Sequence, residues 1–192
     1  MNFIKRAIAV ALLQALASCG PSLDSQISEA ERGDVSAQVF LGTVYLDELK
    51  AKHYGVVQDY SQAVSWFRKA AEQGDAYAMR ILGISYREGE GVMKDYAQAA
   101  KWFRKGAEQG DLGAQHEMGM AYYGRRDLWF KEPQDFVLAY AWLNLASNGG
   151  FGTSSLAPRD EVESVLSPAQ LAEAQRLSSN WKKGQSIQRE KP

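Results

Sequence analysis

Apolar residues recur along this chain at the spacing of one helix face. Ala78, Leu82, Gly83 and Tyr86 fall at i, i+4, i+5 and i+8, a stripe along one side of a helix. A second stripe, Ala63, Trp66, Phe67 and Ala70, returns as Ala99, Trp102, Phe103 and Gly106. Before each copy stands an Asp with a Gln three residues on (Asp59/Gln62, Asp95/Gln98), which predicts a capping box at a helix start. Each copy stops at Gly74 or Gly110, where a left-handed C-terminal cap is cheap, and the following Asp can cap the next helix. Antiparallel helix pairs are predicted, with no strands.

The unit repeats almost verbatim. Residues 66–75 read WFRKAAEQGD and residues 102–111 read WFRKGAEQGD, nine of ten positions being identical at a shift of 36. Leu41-Gly42-x-x-Tyr45, Leu82-Gly83-x-x-Tyr86 and Met118-Gly119-x-x-Tyr122 line up, as do Asp59, Asp95 and Asp135 with Trp66, Trp102 and Trp142. Length varies only between the Tyr and the Asp, a loop inside each unit. A mid-helix Gly costs about 1 kcal/mol against Ala, so Gly42, Gly83 and Gly119 call for a closely approaching partner helix. Self-similarity at this period marks a solenoid of stacked units.

The composite pattern A-x-x-x-L-G-x-x-Y…G-x-G-V-x-x-D-x-x-x-A-x-x-W-x-x-x-A-A-x-x-G-D resembles the SEL-1-like repeat, a relative of the tetratricopeptide repeat. Ala78, Leu82, Gly83, Tyr86, Gly89, Gly91, Val92, Asp95, Ala99, Trp102 and Gly110-Asp111 carry the resemblance in the second unit. The first unit keeps Gly55-Val56 after a five-residue insertion, and the third lacks the G-x-G-V element. The resemblance implies an all-α, right-handed α-solenoid over residues 27–183. Its repeats fall at about 34–74, 75–110 and 111–150, after a half-unit and before a C-terminal helical cap at 154–183. Ser167-Pro168-Ala169-Gln170 supplies N-cap, N1 proline and capping-box Gln for the last helix.

The N-terminus reads as a processing signal. Lys5-Arg6 precede the apolar run Ala7–Ala17, which is too short to span a bilayer comfortably. Leu16-Ala17-Ser18-Cys19 is similar to the lipobox of bacterial lipoproteins. That resemblance implies removal of residues 1–18, acylation of Cys19 and, with Gly20 rather than Asp next, a periplasm-facing position on the outer membrane. Residues 19–26 are expected to be a tether and residues 184–192 a disordered tail.

Composition narrows the chemistry. A net charge of −1 without a long basic block argues against nucleic acid, and a single Cys excludes an internal disulfide framework. His53 and His116 have no second His at metal-ligand spacing, so neither a metal nor a cofactor is expected. Ser179-Asn180-Trp181-Lys182 fits an S-x-x-K string, but no K-T-G follows and no catalytic constellation emerges. Some cysteine-rich relatives of the repeat family are linked to β-lactam hydrolysis; this chain lacks their paired cysteines.

A protein-binding, non-enzymatic role remains. By the tetratricopeptide analogy, the first helices line a concave groove with residues three before, one after and four after the helix Gly. These are Val39, Thr43 and Leu46; Arg80, Ile84 and Arg87; and His116, Met120 and Tyr123, with Tyr77 one turn earlier. Arg, Tyr and Met are residues of partner-binding hot spots, and the two Arg are expected to take carboxylates of a partner. An alternative surface is the third unit's loop, with Arg125, Arg126, Trp129 and Phe130. The partner is expected to be another envelope or secreted protein. The family resemblance also implies a specialised version, an immunity lipoprotein neutralising a phospholipase-type toxin of type VI secretion.

Overall fold

A computed structural model describes residues 22–124 and 134–189. The signal segment with Cys19, the loop residues Arg125, Arg126, Trp129 and Phe130, and the last three residues lie outside the described residues. Within them the chain is helical throughout: α1 (Leu23–Glu31), α2 (Val35–Leu46), α3 (Glu48–His53), α4 (Tyr60–Glu72), α5 (Ala76–Glu88), α6 (Tyr96–Glu108), α7 (Leu112–Tyr123), α8 (Phe136–Asn148), α9 (Thr153–Val165) and α10 (Pro168–Asn180). Helices α2/α4, α5/α6 and α7/α8 are successive pairs, α9 and α10 both pack against α8 as the C-terminal cap, α1 is a leading half-unit, and α3 is the insertion of the first unit. The result is the helix-pair solenoid.

The Gly-Asp steps form the joints between units. Gly74 and Gly110 adopt φ of 97° and 88°, a left-handed turn that side chains resist. Asp34, Asp75 and Asp111 then each accept a 2.7 Å bond from the backbone N–H of Ala37, Ala78 and Ala114. At the second helices the outcome differs from the expected capping box. Asp59 and Asp95 accept from the backbone N–H of Gln62 and Gln98. Their own N–H groups instead donate to the carbonyls of Tyr45 and Tyr86, at 2.9 and 2.8 Å. That bond closes the hairpin, so the Gln side chain is not needed there. The full capping box does form at Ser167/Gln170.

The helix glycines are covered by the partner helix. A Cβ on Gly83 would stand 2.8 Å from Cδ1 of Phe103, and one on Gly42 would stand 2.9 Å from Cε2 of Phe67. At Gly119 the neighbour is Leu143, 2.6 Å from such a Cβ. Phe67 and Phe103 are fully buried as a result, and Trp142 nearly so. Trp66 and Trp102, expected in the same stripe, are only half-buried. Each reaches back to the previous unit's cluster while a Lys ammonium lies over its ring, Lys69 at 3.9 Å and Lys105 at 4.8 Å. Phe therefore locks the first two pairs and Leu143 the third, while Trp66 and Trp102 join their pairs to the cluster before.

Both ends depart from expectation. The tether expected over 19–26 is helical from Leu23, because Ser22 caps α1 by accepting from the Ser25 N–H at 3.2 Å. The tail expected to be disordered from 184 is held over residues 184–189. Gly184 N–H donates to the Glu108 carbonyl at 2.7 Å, and Trp181 Nε1 donates to the Gln185 carbonyl at 2.8 Å. Ile187 is buried in the last cluster, and Arg189 pairs with Glu173 and Asp135. One apolar residue in an irregular stretch has no period, so pattern alone does not find it.

Candidate binding surface on the first helices

The groove positions lie on α2, α5 and α7, but the outer ones serve the stacking. Arg80 leaves α5 above the Tyr77 ring, 4.9 Å away, and its Nε stands 2.8 Å from Oδ1 of Asp111. The contact is an ion pair rather than an aligned hydrogen bond, for the buried Nε–H has no acceptor in line and the same Oδ1 accepts from Ala114. Gly113 makes room for this crossing, since a Cβ there would stand 2.6 Å from Cδ of Arg80. Arg87 donates to Glu117 of α7 at 2.9 Å and to neighbouring Glu88 at 2.8 Å.

The next joint is built at the equivalent positions. His116 Nδ1 and Ser155 Oγ of α9 are 2.9 Å apart, and the imidazole lies against Phe151 at 5.2 Å. Tyr123 donates to Glu161 of α9 at 3.0 Å. The positions three before and four after the helix Gly thus bridge each first helix to the following one. Arg80 and Arg87 already hold internal carboxylates, so a partner's carboxylate would compete rather than fill a vacancy. The inner positions differ: Thr43 and Ile84 stay half-exposed, while Met120 is nearly buried.

A hydroxyl beside an imidazole is the geometry of nucleophilic catalysis. Ser155 has no exposed surface, however, and His116 is buried with it, so the two act as a joint between α7 and α9. Ser179 and Lys182 of the S-x-x-K string are exposed at and beyond the end of α10. Among the described residues no group of three His, Cys, Asp or Glu converges as a metal site.

The insertion supplies what the periodic pattern did not reveal. Asp47 caps α3 by accepting from Lys50 N–H at 2.9 Å, and the short helix folds against α2. Tyr54 meets Phe40 edge to face at 5.3 Å. Between α2 and α3 opens a pocket of about 410 Å³ lined by Phe40, Thr43, Val44, Leu49, Lys50, His53 and Tyr54. The sequence signal was the insertion itself, which displaces His53 and Tyr54 from the repeating frame. Thr43, a groove position, is part of this pocket.

The family described as Sel1 repeat matches residues 35–75, 76–111 and 113–151. Two solved structures are similar. One is c5321, a protective antigen present in uropathogenic Escherichia coli strains and displaying an SLR fold, at 29% identity and a TM-score of 0.60 over 88% of this chain. The other is a Sel1 repeat protein from Oxalobacter formigenes, at 32% identity and a TM-score of 0.55 over 64% of this chain. The chain spans less than half of either, 42% and 47% of their lengths. No curated protein shows a significant match.

Proposed function

The chain belongs to the Sel1 repeat family, and from that premise we propose a lipid-anchored binding module of a bacterial envelope whose α2–α3 pocket anchors a partner protein. Sel1 repeats are protein-interaction modules. The observation that carries the reading is the pocket. Its volume of about 410 Å³ suits one large side chain, its walls are apolar, and Lys50 and His53 stand exposed on its rim. A buried aromatic or aliphatic anchor inside a polar rim is how interfaces concentrate their energy. An apolar side chain flanked by a carboxylate matches this pocket. Ile84 continues the surface along the next first helix.

Anchoring is read from Leu16-Ala17-Ser18-Cys19 after the positive and apolar segments. Cys19→Ser should abolish incorporation of labelled acyl chains and release the protein from the membrane fraction. For the pocket, Thr43→Trp fills the cavity and Leu49→Asp places a charge on its exposed wall. Both variants should lose the partner captured by the wild type from envelope extract while melting within a few degrees of it. Retention of the same partner by both would rule out the pocket as anchor. Arg80→Ala and Arg87→Ala should act mainly on the melting temperature, because their carboxylate partners are internal. Identification of the captured protein as a secreted phospholipase would give the module the immunity role.

A further inference from the structure

We infer that the edge at which the helix pairs close is a lipid-facing edge, laid against the bilayer when Cys19 is acylated; this rests on the anchoring proposed above. First helices end and second helices begin at this edge. The bonds from Asp59, Asp95 and Asp135 N–H to the carbonyls of Tyr45, Tyr86 and Tyr122, at 2.9, 2.8 and 3.0 Å, fix it. Eight large apolar residues stand exposed among the described ones; Leu49 walls the pocket, and five of the other seven lie here: Val57 (84%), Met93 (89%), Val165 (58%), Tyr60 (38%) and Tyr96 (37%). The opposite edge has only Phe151 and Leu156, at 37% and 36%. The three most exposed outside the pocket, Met93, Val57 and Val165, all share one edge.

Repetition makes the placement more than scatter. Val57 and Met93 occupy the same position in successive units, and so do Tyr60 and Tyr96. Stacking does not account for Val57 or Met93, since neither packs against a core cluster. The route of the chain supplies the occupant. Helix α1 packs antiparallel to α2, so Ser22 leaves the solenoid toward this same edge. Cys19 stands three positions before Ser22, a reach of about 10 Å when extended. Acyl chains on Cys19 therefore draw this edge, not the opposite one, to the membrane.

The chemistry of the edge fits a lipid interface. Exposed aliphatics are ringed by Tyr and by Lys52 and Lys94, and the Lys94 ammonium lies 5.6 Å from the Tyr96 ring centre. Tyr and Lys are side chains with an apolar body and a polar tip, suited to the headgroup layer. Asp47, Asp59 and Asp95 are turned onto helix N-termini, and Glu88 pairs with Arg87. Glu48 and Glu90 offset part of the Lys charge, so apolar insertion rather than anionic lipid carries the contact. The acyl chains hold the protein; the edge sets its orientation.

Acylation leaves no free thiol, because Cys19 is the chain's one cysteine. The acylated protein is reconstituted in phosphatidylethanolamine/phosphatidylglycerol vesicles carrying a doxyl lipid quencher. Single cysteines at Val57→Cys, Met93→Cys and Val165→Cys, and at Gln73→Cys and Ser154→Cys on the opposite edge, carry an environment-sensitive fluorophore. Quenching at 57 and 93 should exceed that at 73 and 154 by about threefold or more, as for groups set into the headgroup boundary. Equal quenching on an acylated protein overturns the orientation and leaves the anchor standing. Absence of acyl chain on Cys19 overturns both. Concentration-dependent dimerisation that protects 57 and 93 without lipid overturns the lipid assignment in favour of a second copy of the chain.

Discussion

Substituting Gly83 by Ala separates two opposing forces. In a free helix the change is favourable by about 1 kcal/mol, because Gly carries excess backbone entropy. In this protein the new Cβ would stand 2.8 to 2.9 Å from Cδ1, Cε1 and Cγ of Phe103. Those contacts involve the near half of a ring with no exposed surface. The ring can retreat only by displacing its own cluster, and such overpacking costs about 1–3 kcal/mol. The net effect is a loss of about 1 kcal/mol, opposite in sign to propensity. The decisive arm is the same substitution in a Phe103→Ala background, itself destabilised by about 3–5 kcal/mol. With the ring gone, Gly83→Ala should become stabilising by up to about 1 kcal/mol. Urea unfolding followed by circular dichroism on the four proteins gives the coupling, compared at unchanged slope because repeat arrays can unfold in steps. Additivity, with Gly83→Ala stabilising in both backgrounds, would refute the steric account of the repeat glycine.

Truncation after Gln185 removes Ile187 from the last cluster and Arg189 from Glu173 and Asp135. It should lower stability by about 2 kcal/mol, most of it from the Ile, and unchanged unfolding would show that the tail contributes nothing. Burial holds the Tyr140 phenol above its ordinary value of 10. Its contribution is therefore complete below pH 10 and fades as pH rises through the folded value. Tyr140→Phe should flatten that alkaline decline in a series of melts, and an unchanged decline would place the sensitivity elsewhere.

The repeat made the scaffold readable, because burial inside a pair depends on periodicity alone. Phe67 and Phe103 fall on Gly42 and Gly83 through spacing that two aligned copies already display. The joints between pairs were less readable. A side chain four residues after the helix Gly can face solvent or the next first helix, and periodicity does not separate the two. Arg87 reaches Glu117, and Arg80 crosses α7 over Gly113. Gly113 and Glu117 were the available signs: a small residue beneath a long one, and an acid where the next helix passes. Trp66 and Trp102 recur as strictly as the Phe yet lie only half-buried between units, under Lys69 and Lys105.

A side chain that recurs and is buried between helices has a sufficient explanation in stacking, so recognition of a protein partner is better sought where recurrence fails. The bridging positions occur on both α5 and α7, with different side chains meeting the same need. The insertion that forms α3 has no counterpart in the second unit, where a short loop joins α5 to α6. It leaves Leu49 79% exposed above a cavity that the rest of the fold does not fill. Filling that cavity from within would need one larger residue at Thr43, a change the helix backbone permits. An open apolar cavity retained beside an exposed leucine has a physical use when another molecule completes it. This is why the pocket, rather than the paired arginines, is the surface on which binding is proposed.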